Sequence, residues 1–163
     1  MFNLFKKKRK EEVSMLAPVT GTVVPLEQVP DPVFSQKMAG DGIAIQPSEG
    51  LLLAPFNGKV AHLFHTSHAI SLISEAGVEL LIHIGIDTVK LDGKGFTPYV
   101  QTGDQVKAGD KLIAFDLNVL QEAGCPTITP ILLTDETVIE QKNVTAAGAV
   151  TAGKDEVIHL TLK

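Results

Sequence analysis

A chain of 163 residues with 44% apolar content can bury one good core, which points to a single domain. Its net charge of −5 argues against nucleic acid as the main partner, and no run of 18 apolar residues is present to span a membrane. The single cysteine, Cys125, excludes an internal disulfide and fits a reducing cytoplasm.

The opening MFNLFKKKRKEE differs in composition from the rest of the chain: Phe2, Leu4 and Phe5 precede five consecutive basic residues, Lys6 to Lys10. This order of basic and apolar residues is not that of a secretory signal, and no long apolar segment comes after it. Residues 1–14 are expected to form a flexible basic tail, and residues 15–163 a single folded domain. The tail also suits weak peripheral contact with an anionic membrane surface, with Phe2 and Phe5 entering lipid beside the lysines.

From Met15 onward short strand patterns alternate with glycine and proline, the texture of an all-β protein: an antiparallel sandwich or barrel-like fold with at most short helices. The clearest helix signal is LNVLQEA, with Asp116 as cap and Gly124 as stop. Two strand motifs repeat internally. LAPVTGTVV at Leu16 to Val24 returns as LAPFNGKVA at Leu53 to Ala61, and VKAGDKLIAF at Val106 returns loosely as VTAGKDEVIHL at Val150, suggesting a sandwich assembled from similar halves.

Four of the five histidines gather in the middle of the chain. In HLFHTSH, strand alternation puts His62, Phe64, Thr66 and His68 on one face and turns His65 away. A strand over Val78 to Thr88 would place Leu81, His83, Gly85 and Asp87 on one face, leaving a hole above Gly85, and Leu80, Ile82, Ile84 and Ile86 in the core. If HAISLIS and VELLIH form a hairpin, a loop at Glu75–Ala76 sets His68 opposite His83, and a loop at Ala76–Gly77 makes them diagonal neighbours. Both bring the imidazoles within about 4.5 to 8 Å at Cβ, whereas an unbulged three-residue loop separates them. A zinc site from His62, His68 and His83 and ordinary core histidines are the alternatives. His159, in the final strand, reads as structural or surface.

LAPVTG near the start, DPVFSQKMAGDGIAIQP from Asp31, HTSHAISL, GVELLIHIGIDTVKLDGKGF from Gly77 and GDQVKAGDKL from Gly103 together resemble the glucose-type enzyme IIA family of the bacterial phosphoenolpyruvate-dependent sugar phosphotransferase system. The resemblance implies a cytoplasmic β-sandwich phosphocarrier. It would accept a phosphoryl group from phosphohistidine HPr on His83 and pass it to a cysteine of a IIB domain, with no metal and no cofactor. His68 is implied as the second active-site histidine, and Thr66 as a threonine hydrogen-bonded at the site. Nδ1 of His83 is implied to donate a hydrogen bond to the Gly85 carbonyl. Asp87 is cast as a docking or orienting carboxylate, and Asp31, Val33, Phe34, Ile43, Ile45 and Phe64 map onto the docking surface.

Two other functional classes fit the residues less well. A zinc-dependent hydrolase on a related β scaffold lacks the common His-x-His pair, since Ile84 and Gly85 follow His83. A lipoyl or biotinyl carrier is suggested by VKAGD, but no lysine sits at a hairpin tip between methionines.

Overall fold

The structure is a computed structural model and describes residues 10–163. Its elements are β1 (Glu12–Leu16), β2 (Gly21–Pro25), α1 (Pro32–Ser35), β3 (Asp41–Pro47), β4 (Leu51–Leu53), β5 (Gly58–Leu63), β6 (Ala69–Ser74) and β7 (Glu79–His83). They continue with β8 (Phe96–Pro98), β9 (Gln105–Val106), β10 (Lys111–Phe115), α2 (Leu117–Glu122), β11 (Thr129–Leu133), β12 (Ile139–Val144), β13 (Gly148–Val150) and β14 (Glu156–Leu162). The expected helix is α2, with the Asp116 carboxylate accepting from the amides of Asn118 and Val119. The strand β1 starts at Glu12, so the folded domain begins inside the stretch expected to be tail, and β1 pairs with β14 from Glu12 opposite Thr161 onward. Residues 1–9 lie outside the described residues, and with them most of that tail and its expected membrane contact.

All pairings are antiparallel. An eight-stranded sheet runs β13-β2-β3-β11-β7-β6-β5-β9, and two three-stranded sheets run β1-β14-β12 and β4-β10-β8. The large sheet reads alike from both ends, and the sequence echoes explain why. The Leu16 amide donates to the Pro55 carbonyl at 3.0 Å, and the echoing Leu53 amide donates to Pro18 at 2.7 Å. Gly109 donates to Ala54 and its counterpart Gly153 to Ala17. Gly21 and Gly58 do the same work in each half: a Cβ at either would lie 2.1 Å from the carbonyl oxygen of the neighbouring strand, so only glycine fits. The two halves therefore clasp each other through a pseudo-twofold relation.

Alternation along the strands sorts the sheet into two faces. Ile43, Ile45, Leu80, Ile82 and Ile131 are buried in the main core with Met15, Leu112 and Leu160 from the smaller sheets. The opposite face carries a second cluster of Leu26, Val29, Phe34, Ala44, Ile86, Ile128 and Leu132, and on this face the histidines lie. Ile43 and Ile45 are 3% and 0% exposed, which removes both from any docking surface. Between them, Ala44 points to the site's side of β3.

Candidate active site

The hairpin between β6 and β7 adopts the even register: Ala69, not His68, faces His83, and Ile70 faces Ile82. The cause is a three-residue loop, Glu75 to Gly77, in which Gly77 takes φ +95 and Ser74 pairs with Val78 through a 2.9 Å hydrogen bond. A left-handed residue closing a three-residue loop is a common hairpin solution. Plain alternation would then send the two histidines to opposite faces. They meet nonetheless, with ring centroids 5.0 Å apart and planes at 79°. His68 stands just outside β6, where Ile84 N donates to its carbonyl as the last rung of the ladder, and Ser67 before it turns left-handed at φ +58. The pleat thus ends where the imidazole is needed.

The strand β7 likewise stops at His83 rather than running on to Thr88. Gly85 has φ +69 and Asp87 φ +61, so neither obeys the expected strand parity. No hole lies above Gly85. A Cβ there would be 2.8 Å from Thr88 Cγ2, 2.9 Å from the Pro126 carbonyl oxygen and 3.2 Å from Leu120 Cδ2. The glycine is required by close packing and by its backbone angle. Buried Thr88 donates to the Ile84 carbonyl at 2.6 Å, and the Ile86 amide donates to Pro126 at 2.9 Å, which fixes the Gly85 peptide from both sides.

That peptide orients the partly buried His83: its Nδ1 lies 2.7 Å from the Gly85 carbonyl oxygen. A carbonyl can only accept, so Nδ1 carries the proton and Nε2 keeps its lone pair. His68 is anchored differently, with Thr66 Oγ1 2.5 Å from its Nδ1. Thr66 therefore enters the site through His68. Burial, opposed by the Gly85 carbonyl and by the charges of Asp31 and Asp87, moves the His83 pKa down. His68, 6% exposed, is pushed down to about 4, first by burial and then by the neighbouring charge of His83. Both rings are neutral at pH 7.

Two phenylalanines flank the pair. Phe34 lies 5.1 Å from the His83 ring and Phe64 5.8 Å from the His68 ring. Phe34 comes from α1, a helix that the periodicity of the sequence did not reveal. Its signal was the dipeptide Asp31-Pro32: the Asp31 carboxylate accepts from the Val33 amide at 2.9 Å and Pro32 opens the helix. Phe34 is 7% exposed and backs His83, whereas Val33, at 45%, stands at the surface. Phe64 and Asp31 are half-buried and Asp87 is exposed, so these three remain available at the rim. His62 does not join the site. A bulge in β5 between Val60 and His62 shifts it, and the Phe64 ring, 4.8 Å away, stands between it and His68. Among the described residues no three His, Cys, Asp or Glu side chains form a metal-holding group. His159 sits elsewhere, paired with Glu156 at 3.0 Å and Glu12 at 3.3 Å.

The arrangement offers one oriented, neutral imidazole nitrogen beside a second imidazole, in a partly dry depression rimmed by phenylalanine, valine and two carboxylates. Such a site suits group transfer to and from nitrogen, where positioning and charge stabilisation do most of the work. Comparison with known proteins bears on the same chemistry. Residues 13–139 match the family described as phosphoenolpyruvate-dependent sugar phosphotransferase system, EIIA 1. The glucose-specific EIIA component of Bacillus cereus is 46% identical over 163 residues, covering 100% of this chain and 98% of that one. Its counterpart from Oceanobacillus iheyensis is 47% identical over 161 residues, covering 97% of each. The solved structure of glucose permease IIA from Mycoplasma capricolum superposes with a TM-score of 0.84 at 38% identity, over 91% of this chain and 96% of that one.

Proposed function

We propose that His83 is the phosphoryl-carrying residue of this chain, which belongs to the phosphoenolpyruvate-dependent sugar phosphotransferase system EIIA 1 family and so is a phosphocarrier of sugar uptake. The observation that carries the assignment is the 2.7 Å contact of His83 Nδ1 with the Gly85 carbonyl, which leaves Nε2 as the one free nitrogen of that ring. The Nε2 lone pair attacks the phosphorus of phosphohistidine HPr in line. One N–P bond forms as the donor's N–P bond breaks, and the donor imidazole, protonated at its other ring nitrogen, leaves as the neutral ring. In the second transfer a cysteine thiolate of a IIB domain takes the phosphoryl group, and His83 leaves as the neutral ring, its proton still on Nδ1 and donated to the Gly85 carbonyl.

His68 stabilises the transferred charge. With the Thr66 hydroxyl donating to His68 Nδ1, the ring proton sits on Nε2, from which it is offered to a phosphoryl oxygen. Thr66 spends its own proton on His68, so it acts as a positioning residue and not as a second donor to phosphate. Asp31 and Asp87 would repel the phosphoryl group as bases; at the rim they suit cationic side chains of HPr and IIB. Val33 and Phe64 supply the apolar part of that surface, with Phe34 as support behind His83. Action in the cytoplasm is supported by the free thiol of Cys125, which fits a reducing compartment. The names of the relatives point to glucose as the sugar.

The test is incubation with phosphoenolpyruvate, enzyme I and HPr, followed by intact mass and metal analysis. The wild-type chain should gain one acid-labile phosphoryl group without bound zinc, and His83→Gln should gain none. Labelling of His83→Gln, or labelling that requires zinc, would remove the assignment.

A further inference from the structure

Away from the histidines, β2, β3, β11, β12 and β14 enclose a cavity of about 390 Å³. Its walls are apolar, formed by Val23, Val24, Leu26, Ile43, Leu133 and Ile158. Val144, at its rim, is 59% exposed, one of the few large apolar residues so open to solvent. A size of this order and an apolar lining with few charges are the features of a binding site. The charges gather at the mouth. Asp41 pairs with Lys142 at 2.6 Å and with Lys37 at 3.4 Å, Lys37 also reaches Glu27, and Lys142 also binds Glu136. Glu140 stands two positions before Lys142 on β12. Three carboxylates, Asp41, Glu27 and Glu136, thus meet two ammonium groups, and the mouth is left with a surplus negative charge.

The first described residue is tied to the strand that borders the cavity: Lys10 Nζ is ion-paired with Glu140 on β12. Before it come nine residues, MFNLFKKKR, which join three large apolar side chains to four further basic ones. Nine extended residues reach up to ~30 Å. Along β12, which is the edge strand of its sheet, Glu140 to Val144 covers only about 13 Å. The segment is therefore long enough for its apolar end to span the distance to the cavity.

We propose that the chain's own amino-terminal segment, residues 1–9, occupies this cavity, seating Phe2, Leu4 and Phe5 on the apolar walls while Lys6 to Arg9 face Glu27, Glu136 and Glu140. Apolar burial supplies the attraction, and the surplus carboxylates supply orientation and salt sensitivity. The site lies outside the histidine pair, so its occupancy leaves phosphoryl acceptance unchanged. A membrane surface would compete for the same apolar residues.

The experiment attaches a nitroxide to Asn3→Cys in the full chain; Cys125, 3% exposed, is shielded from the reagent. Amide spectra are recorded before and after reduction of the label. The proposal expects Gly42, Val144, Ala146 and Ile158 to lose intensity while Gly103 keeps its own. The losses should disappear in a Phe2→Ser/Phe5→Ser background and in Val144→Arg, and should lessen in high salt. Broadening confined to the residues next to Lys10 overturns it. So does broadening that survives Phe2→Ser/Phe5→Ser, or tail-dependent partition onto vesicles of anionic phospholipid by a chain whose cavity was never broadened. Release of the broadened signals by such vesicles supports it, because the two surfaces then exchange one segment.

Discussion

Acid should weaken this fold through the two imidazoles of the site, His68 more than His83, and the size of the effect is set by where the His68 ring sits. An unfolded chain binds a proton on His68 near the ordinary value of 6.5; the folded chain resists until about 4, because the ring is 6% exposed and faces His83. Between these values the unfolded state holds the extra proton, so stability falls as pH falls. The full contribution is present above 6.5 and is lost below about 4. At about 1.4 kcal/mol per pH unit, a displacement of this size amounts to at most ~3.5 kcal/mol, a large share of a small domain's total stability. Urea unfolding at a series of pH values from 7.5 to 4.5 measures it, with His68→Gln as the reference that cannot titrate. The difference between the two proteins should grow by up to one proton's slope as pH falls, and the midpoint of the wild type should drop faster. His159 works in the opposite sense, since Glu156 and Glu12 hold its pKa up. It is common to both proteins and cancels. Parallel curves for wild type and His68→Gln between 6.5 and 4.5 would refute the reasoning, because the buried ring would then carry no protonation penalty.

The two histidines should also separate in kinetics. His83→Gln should carry no label from phospho-HPr, whereas His68→Gln should still be labelled and should pass the group to IIB about 10²-fold more slowly, as expected for the loss of one charge-stabilising donor; paired single-turnover transfers with radiolabelled phosphate measure both. Thr66→Val keeps the shape of the side chain and removes the hydroxyl, so nitrogen NMR of His68 should show a mixture of tautomers, and onward transfer should slow while acceptance persists. Gly85→Ala should cost at least ~1 kcal/mol in urea unfolding, since φ +69 and the 2.8 Å approach to Thr88 both oppose a methyl group, and acceptance should fall with it as the carbonyl moves off His83 Nδ1. Acceptance should survive a chelator, because the donor phosphoryl group is already activated; persistent loss on chelation would count against direct transfer.

The strands were legible because alternation writes burial directly into sequence: Leu80, Ile82 and Ile84 read as core and are fully buried. The helix α2 was legible from its cap and stop. The helix α1, with four residues, is too short to show helical periodicity, and only its Asp-Pro opening announced it. Hairpin register was not readable, because three residues of loop and two of loop differ by the conformation of a single glycine, Gly77, which composition does not reveal. Proximity of His68 and His83 came out right for a different reason from the one expected: a left-handed Ser67 at the end of the pleat replaces direct cross-strand pairing. Ile43 and Ile45 were assigned by position alone, and one step of alternation on β3 separates the docking side from the core. His62 failed by a bulge of one residue, the same lesson on β5.

The clasp between the LAP segments has a consequence for where reactivity can arise. Ile131 lies opposite Ile82 at the centre of the large sheet, so counting outward along each strand matches Leu132 with His83 and Leu133 with Ile84. Asp41 faces Leu133 as His68 faces Ile84, which makes Asp41 the counterpart of His68. One backbone plan is thus furnished twice in the same molecule, once with two imidazoles and once with leucine and an aspartate tied to lysines. The second copy repeats the scaffold without either imidazole. The strands are common to both halves, and even the positive φ of Ser67 has its counterpart in Gly40 at φ +136; what separates the halves is the side chains, His68 and His83 in one against Asp41 and Leu132 in the other.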